Sequence, residues 1–255
     1  MLISPKRFGS EKQPLTIVTW ADGTDEEIKA MIDAADAGEV NLADYWSVGD
    51  ERTVHLSAMT AGDGLNDAQP EQDVVLVLMN EGYPGNPNVH FVWGQKDCLL
   101  QYGRMNASNT NVGSWNGCAM RADLNSKYYN ALSATFKNCL KQFNVITAQI
   151  YNGNTNQVSQ DYISLFAEKE IFNFRQNSNT TEANALSQIE YYNTTSRRKK
   201  KVGVSNSAFT SADYWWERSP YSDNANYFSC ATPDGSPSSV YYATTARGIA
   251  PFGCI

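Results

Sequence analysis

The 255-residue sequence contains few side chains of the kinds that catalysis uses. A structural role is favoured for its two histidines, His55 and His90, because general acid–base catalysis also needs a positioned partner. Glu168 and Glu170, in the sequence AEKE, fit an ion-pair network or a surface edge better than acid–base chemistry. The sequence has no nucleophile elbow, metalloprotease helix, phosphate loop, dinucleotide fingerprint or calcium loop. We therefore predict that the protein is not an enzyme and has no cofactor or metal.

The cysteines are odd in number, widely spaced and without a Cys-x-x-Cys pair, which predicts buried free thiols instead of a zinc or redox site. They are Cys98, Cys118, Cys139, Cys230 and Cys254. The first twenty residues lack the apolar core of a signal peptide, and no run approaches the ~20 apolar residues of a membrane span. We expect a protein that is made and kept reduced in a cytosol, without membrane insertion.

The net charge of −7 argues against a nucleic-acid partner, because phosphate binding needs a cationic face. The one strongly basic run is RRKKK, residues 197–201. Such a run is typical of a solvated loop, and contact with an acidic surface or a glycan is the alternative.

The candidate binding site lies in residues 221–246, which are dense in Tyr, Ser, Asn, Asp and Thr. Antibody paratopes use the same residue types, because tyrosine gives rigid contacts and small polar groups adapt to the ligand. An ordinary polar loop would have the same composition. The predicted ligand-binding residues are Tyr221, Ser222, Asp223, Asn224, Asn226, Tyr227, Ser229, Tyr241, Tyr242, Thr244 and Thr245.

The sequence DYWWERSP, just before this segment, predicts a strand that supports it. Trp215 and Trp216 point to opposite faces of a strand, so at least one is expected in the core, and the other is core or the floor of a sugar site. Glu217 and Arg218 also alternate. One of them is expected to point inward and to need a partner such as Glu168 or Glu170.

The N-terminal elements begin with a predicted strand, residues 15–20. Thr24 and Glu27 form a capping-box pattern, and a helix follows that ends near Gly38. The apolar stripe of this helix must pack on the rest of the chain or on a neighbouring subunit. Residues 41–59 resemble a hairpin with its turn at 48–50, and residues 73–79 predict a central strand with an antiparallel partner that starts at His90.

The middle of the chain predicts two consecutive helices, or one broken helix, over residues 124–143. A strand at 145–150, a polar loop at 151–160 and a helix at 182–192 follow, and residues 161–172 mix strand and helix signals. The C-terminal quarter predicts four strands, in the sequences DYWWE, YFSCA, SVYYAT and GIAPFGCI, with a turn at 233–236.

Several long motifs resemble the landmarks of DUF6273, a domain of gut-bacterial and prophage proteins. They are DYWSVGDERTVHLSAM, VVLVLMNEG, HFVWGQK, GRMN, AEKEIF, ALSQIEYY, WWERSP and GIAPFGCI. The ending W-x-RSP…G-x-x-PF is similar to the C-terminal part of C-type-lectin-like domains. These include formylglycine-generating-enzyme-like domains and the variable proteins of diversity-generating retroelements, such as phage tropism determinants. The calcium-lectin signatures are absent, and the paired active-site cysteines of the formylglycine-generating enzymes have no counterpart.

The resemblance implies an α+β, C-type-lectin-like fold with antiparallel sheets, two main helices and long loops. It implies a domain at residues 41–255, preceded by a strand–helix segment, residues 1–40, for attachment or oligomerisation, with a homotrimer as the expected assembly. The implied function is a phage or prophage virion protein that binds a host-surface glycan or protein through its C-terminal region. A structural head or tail decoration protein that contacts other virion proteins is the alternative.

Overall fold

The computed structural model describes residues 14–203 and 211–255. Within these residues it is a mixed α/β structure in which the strands form three antiparallel sheets. Residues 1–13, on which the prediction about a signal peptide largely depends, lie outside the described residues. In chain order the strands are β1 (Glu51–Leu56), β2 (Gln72–Tyr83), β3 (Asn86–Gln95), β4 (Phe143–Ala148), β5 (Asn156–Asp161), β6 (Ile163–Ser164), β7 (Trp215–Pro220), β8 (Tyr227–Ala231), β9 (Ser239–Tyr242) and β10 (Phe252–Cys254).

The largest sheet has the order β1-β2-β3-β10-β6. The predicted apolar strand is β2, an interior strand of this sheet beside the middle strand β3, and its residues Leu76 to Met79 are fully buried. The predicted antiparallel partner is confirmed as β3, and the hairpin between them turns at Gly85, whose φ is +76°. The last strand, β10, pairs with both β3 and β6. The carboxyl end of the chain is therefore part of the core.

Two N-terminal predictions are wrong. Residues 14–19 have no regular structure, and Trp20 is nonetheless buried, with its ring 5.7 Å from that of Trp46. Leu42–Asp44 is a 3-10 helix capped by Asn41, so residues 41–59 do not form a hairpin. The predicted turn at Gly49 exists, but β1 after it pairs with β2 instead.

Helix α1 (Asp25–Asp36) begins with the predicted capping box, in which Thr24 and Glu27 bind each other's backbone N–H groups. The helix ends before Gly38, whose φ is +73°. Ile28, Met31 and Ile32 are buried in the same core as the central sheet. The stripe thus packs on the rest of the chain. The attachment or oligomerisation role of the segment stays a prediction.

The middle region confirms a broken helix. Helix α2 (Ala119–Asp123), a π-helical segment (Leu124–Tyr128) and α3 (Tyr129–Ala131) run on without interruption. Leu132 then adopts an extended conformation, and the Ser133 side chain caps α4 (Ala134–Cys139).

Two later predictions need correction, the polar loop at 151–160 and the helix at 182–192, and the mixed segment between them is confirmed. The second half of the predicted polar loop belongs to β5, which pairs with β4. Ser159 and Asp161 of this mostly polar strand are buried. The mixed segment contains β6 and helix α5 (Glu168–Phe172), whereas the predicted helix at 182–192 is only a short α6 (Thr180–Asn184) and a separate 3-10 helix, Glu190–Asn193. Asn179 caps α6 and fixes its early start.

Lys200 contradicts the prediction of a solvated basic loop. It is fully buried, and its ammonium group donates to the carbonyls of Gln95 and Lys96 at 2.5 and 3.1 Å. It also lies 5.6 Å from the ring centre of Tyr192 and 5.2 Å from that of Trp215. Because no water reaches it, burial lowers the pKa of Lys200 to about 8.

Candidate functional site

The base of the candidate site is β7, in which every residue is buried. Trp216 donates its indole N–H to the Gly103 carbonyl at 2.8 Å, and Trp215 donates to the Arg198 carbonyl at 2.9 Å. Both tryptophans are therefore core residues, and neither is an exposed floor for a sugar.

Arg218 lies at the centre of a buried ion pair. Its Nη1 and Nη2 groups donate to the two Glu170 carboxylate oxygens at 2.6 and 2.9 Å, and Nη1 also donates to the Leu165 carbonyl at 2.8 Å. The Tyr83 hydroxyl donates to Glu170 at 2.6 Å. Burial works against the charged guanidinium, but the Glu170 carboxylate overcomes it and raises the pKa of Arg218. The predicted inward charge and its partner Glu170 are confirmed.

Glu168 has a different task from Glu170. Its carboxylate accepts backbone N–H groups of Gln176, Asn177 and Ser178 at 2.8 to 3.0 Å, which holds the turn before α6. The Asn177 carbonyl in turn accepts the Ser222 N–H at 2.9 Å. This chain of hydrogen bonds joins the buried base to the predicted binding loop.

Glu217 is also buried, and neither of its carboxylate oxygens has a hydrogen-bond partner among the described residues. Burial, together with the neighbouring Glu168 and Glu182, raises the pKa of Glu217 well above its ordinary value, because each of them disfavours the charged carboxylate. Glu182 accepts the Ala148 N–H at 2.8 Å and the Ser219 hydroxyl, and burial raises its pKa to about 7. The base therefore contains carboxyl groups whose charge depends on pH.

Tyrosines project from the sheet of β7, β8 and β9. Tyr227 lies directly opposite Tyr242 across the β8–β9 ladder, and their rings stack with centroids 4.3 Å apart. Tyr221 meets Tyr227 edge-on at 6.2 Å. We call Tyr221, Tyr227 and Tyr242 the tyrosine stack. Tyr242 is 46% exposed, so the stack offers an aromatic surface to solvent.

Tyr241 belongs to another cluster, because adjacent strand residues point to opposite faces. Its ring is 5.2 Å from that of Tyr214, and the Arg247 guanidinium lies 3.7 Å from its ring centre. We call Arg247, Tyr241 and Tyr214 the arginine–tyrosine cluster. The predicted binding residues are thus divided between two faces of one sheet.

The polar residues beside the tyrosine stack form a hydrogen-bonded loop. Asp223 accepts from the Tyr221 and Ser222 hydroxyls at 3.2 and 2.9 Å, and Asn224 accepts the Asn226 N–H at 2.9 Å. After β9, the Thr245 N–H donates to the Tyr242 carbonyl at 2.8 Å, and Thr244 is exposed beside it.

Asn111 holds this loop, although nothing in its local sequence indicates such a role. The side chain is fully buried, and its amide donates to the carbonyls of Asn224 and Tyr227 at 2.9 and 2.7 Å. Its backbone N–H donates to the Ala225 carbonyl at 2.5 Å. Since these partners are more than 110 residues away along the chain, only the tertiary structure identifies Asn111.

Ser229 is misplaced in the predicted binding set. It is fully buried in β8, and its hydroxyl has no hydrogen-bond partner among the described residues. The other ten predicted residues are exposed or half-buried. Asp223, Asn224, Tyr242 and Thr244 are exposed, and Tyr221, Ser222, Asn226, Tyr227, Tyr241 and Thr245 are half-buried.

All five cysteines are free and buried, as predicted. Over residues 14–203 and 211–255, no group of three or more His, Cys, Asp and Glu side chains is arranged to hold a metal ion. His55 and His90 instead pair with Asp73 and Asp36 at 2.9 and 2.8 Å. None of the helices in the described ranges has the length and apolar content needed to cross a membrane.

The fold and the site together define a mixed α/β protein whose C-terminal sheet presents tyrosines on a buried, ion-paired base. Residues 88–255 match the domain of unknown function DUF6273, and the chain belongs to this family. Comparison with curated proteins and with solved structures found no match. The match begins after β2, so two of the predicted landmarks precede it, although β1 and β2 belong to the same sheet as β3.

Proposed function

We propose that this protein is a binding protein that recognises a host-surface glycan or protein through the tyrosine stack and the polar loop beside it. The observation that carries the proposal is an exposed aromatic stack that stands on a wholly buried strand. Tyrosine provides a large contact area at low conformational-entropy cost. Loops bind well when rigid elements fix their ends, as Asn111 and β7 do for residues 221–227.

We infer further that the protein works as part of a phage or prophage virion, such as a tail fibre, and that its fold is C-type-lectin-like. The virion role rests on the resemblance of W-x-RSP…G-x-x-PF to phage tropism determinants. The fold proposal is supported by β10, which lies between β3 and β6, and by the separate sheet of β7 to β9 that precedes it in the chain. Assembly as a homotrimer belongs to the same proposal.

Binding is favoured over a cysteine-dependent activity like that of the formylglycine-generating enzymes by the state of Cys230 and Cys254. Both thiols are fully buried, and burial raises the pKa of each well above its ordinary value. A reactive cysteine is partly exposed and ionised, because the thiolate is the nucleophile and the metal ligand.

The test is adsorption of the fluorescently labelled protein to a panel of bacterial strains, measured by flow cytometry. In a strain that binds the protein, Tyr227→Ala and Tyr242→Ala are each expected to weaken adsorption about thirtyfold, the effect of losing a hot-spot aromatic residue. The unfolding free energy should fall by only about 1 kcal/mol, since each variant loses chiefly the ring stacking.

Tyr129→Ala is the matched control, because Tyr129 forms a comparable partly exposed pair with Tyr162, with ring centroids 4.8 Å apart, on another part of the surface. It should adsorb like the wild type. Equal adsorption by all three variants, or no adsorption to any strain, would contradict the proposal. Binding to purified phage particles alone would support the decoration-protein alternative.

A further inference from the structure

We infer that the arginine–tyrosine cluster is a subsite for a single carboxylate group, and that its ligand is a carboxylated sugar. Arg247 is partly exposed, and its guanidinium lies 3.7 Å from the ring centre of Tyr241 and 5.4 Å from that of Tyr214. The two rings hold the guanidinium in one orientation, which lowers the entropy lost when a ligand binds.

Arg247 hydrogen-bonds only uncharged groups of the described residues. Within the described residues, Nη1 donates to the Ala246 carbonyl at 2.9 Å, Arg247 also hydrogen-bonds the Tyr241 side chain, and its buried Nε has no partner. No carboxylate of those residues forms an ion pair with it. By contrast, Arg52 pairs with Asp25 at 2.5 Å, and Arg218 pairs with Glu170. The guanidinium therefore has no charged partner among the described residues, and a carboxylate ligand can supply one.

Carboxylates near the cluster are already used by other groups. Asp213 accepts the Tyr102 hydroxyl and the Tyr214 N–H. Asp234 accepts from Thr232 and from the Ser236 N–H, and these hydrogen bonds lower the pKa of Asp234. Neither carboxylate forms an ion pair with the guanidinium.

The surroundings favour one carboxylate over a polyanion. Arg104 is the nearest other cation along the backbone, because it follows Gly103, which pairs with Arg247. The Arg104 side chain, however, hydrogen-bonds the Asp63 carbonyl and pairs with the Asp63 carboxylate. A phosphate polymer needs several cations, and the protein as a whole carries a net charge of −7. A guanidinium matches the planar carboxylate, and the tyrosine hydroxyls beside it suit sugar hydroxyls. The choice of a sugar over a peptide rests on the proposed function, recognition of a host surface.

The experiment measures binding of the full chain to α-1,4-linked galacturonate hexamer and to sialyllactose by isothermal titration calorimetry. The methyl ester of each probe is the neutral comparison. We expect at least one acid to bind, its ester to bind about ten- to a hundredfold more weakly, and Arg247→Met to cause a similar loss. Arg247→Lys keeps the charge but loses the planar guanidinium, so its affinity for the acid should lie between those of the wild type and Arg247→Met.

Arg197→Met is the matched control, because Arg197 also stacks on a tyrosine, 4.8 Å from the ring centre of Tyr191, and is not ion-paired within the described residues. It should bind the acid like the wild type. Circular dichroism spectra check that each variant is folded, and Arg247→Lys serves if Arg247→Met does not fold.

Three results would overturn the inference: no binding of either acid, equal binding of acid and ester, or wild-type affinity in both Arg247 variants. Tighter binding of poly(glycerol phosphate) than of the sugars would show that the subsite prefers phosphate to carboxylate, and this result would also refute the inference. These outcomes are separate from failure of the proposed function, which is read from Tyr227 and Tyr242 in cell adsorption.

Discussion

Glu182 gives the base of the site a pH-dependent stability whose sign and size follow from its environment. Its carboxyl group is fully buried and accepts the Ala148 N–H and the Ser219 hydroxyl. Burial raises its pKa from 4.5 to about 7, although the charge of Arg218 opposes the rise. The folded protein therefore holds this proton more tightly than the unfolded chain does.

The sign follows from proton linkage. Between pH 4.5 and 7 the folded state binds more protons at Glu182 than the unfolded state, so the free energy of unfolding falls as pH rises through this window. A pKa rise of this size corresponds to roughly 3 kcal/mol in total, of which roughly 2 to 3 kcal/mol falls between pH 5 and pH 8.

Glu182→Gln removes this titration while keeping the hydrogen bonds. Its carbonyl can accept the Ala148 N–H, and its amide can donate to the Ser219 hydroxyl. Urea unfolding at pH 5 and pH 8, followed by tryptophan fluorescence, should show that the wild type loses roughly 2 to 3 kcal/mol more than the variant over this interval.

Glu81→Gln is the matched control, since Glu81 is an exposed glutamate on β2. It should reproduce the wild-type change with pH. Equal losses in the wild type and in Glu182→Gln, within a few tenths of a kcal/mol, would refute the reasoning that the buried Glu182 carboxyl titrates near neutral pH.

Two further predictions concern buried charges. Arg218→Met leaves Glu170 buried without its cation and should lower the free energy of unfolding by about 3 to 5 kcal/mol. The double variant Arg218→Met/Glu170→Met should recover much of this loss, because it removes both charges. Urea unfolding measures both variants, and additive effects of the two substitutions would contradict the ion-pair account. Lys200 has its pKa lowered by burial to about 8, so the wild type should gain stability between pH 8 and 10.5, by up to roughly 3 kcal/mol, as the unfolded chain alone keeps this proton. Lys200→Met should lack that gain in urea unfolding at pH 8 and pH 10, and an identical gain in the variant would show that Lys200 is not the titrating group.

Tyr241 and Tyr242, which lie on opposite faces of β9, show a limit of inference from sequence patterns. Composition alone indicates a binding segment at 221–246, but it treats Tyr241 and Tyr242 as one surface. Strand alternation places them on opposite faces once β9 is known to be a strand. Ser229 illustrates the same limit: it has the right chemistry for a binding residue, yet its part of β8 lies within the core.

Short-range signals were sufficient for several elements. The capping box at Thr24 and Glu27 fixes α1, and the apolar run in β2 requires a central strand. The adjacent Trp215 and Trp216 predict a strand with at least one of them in the core, and the inward charge beside them predicts a carboxylate partner. In each case the residues that determine the structure are close together in the sequence, or a large apolar side chain has to be buried.

The tertiary structure alone decided the rest. Asn111 holds a loop more than 110 residues away. The side chain of Lys200, within a basic run, lies in the core, where the carbonyls of Gln95 and Lys96 and aromatic rings surround its ammonium group in place of water. The Arg247 guanidinium acquires its position on the tyrosine rings only when Tyr214 and Tyr241 meet around it. The amino-acid sequence determines which groups must be buried or paired, but contacts between distant segments determine which partners they find, because each such contact forms only when the whole core closes.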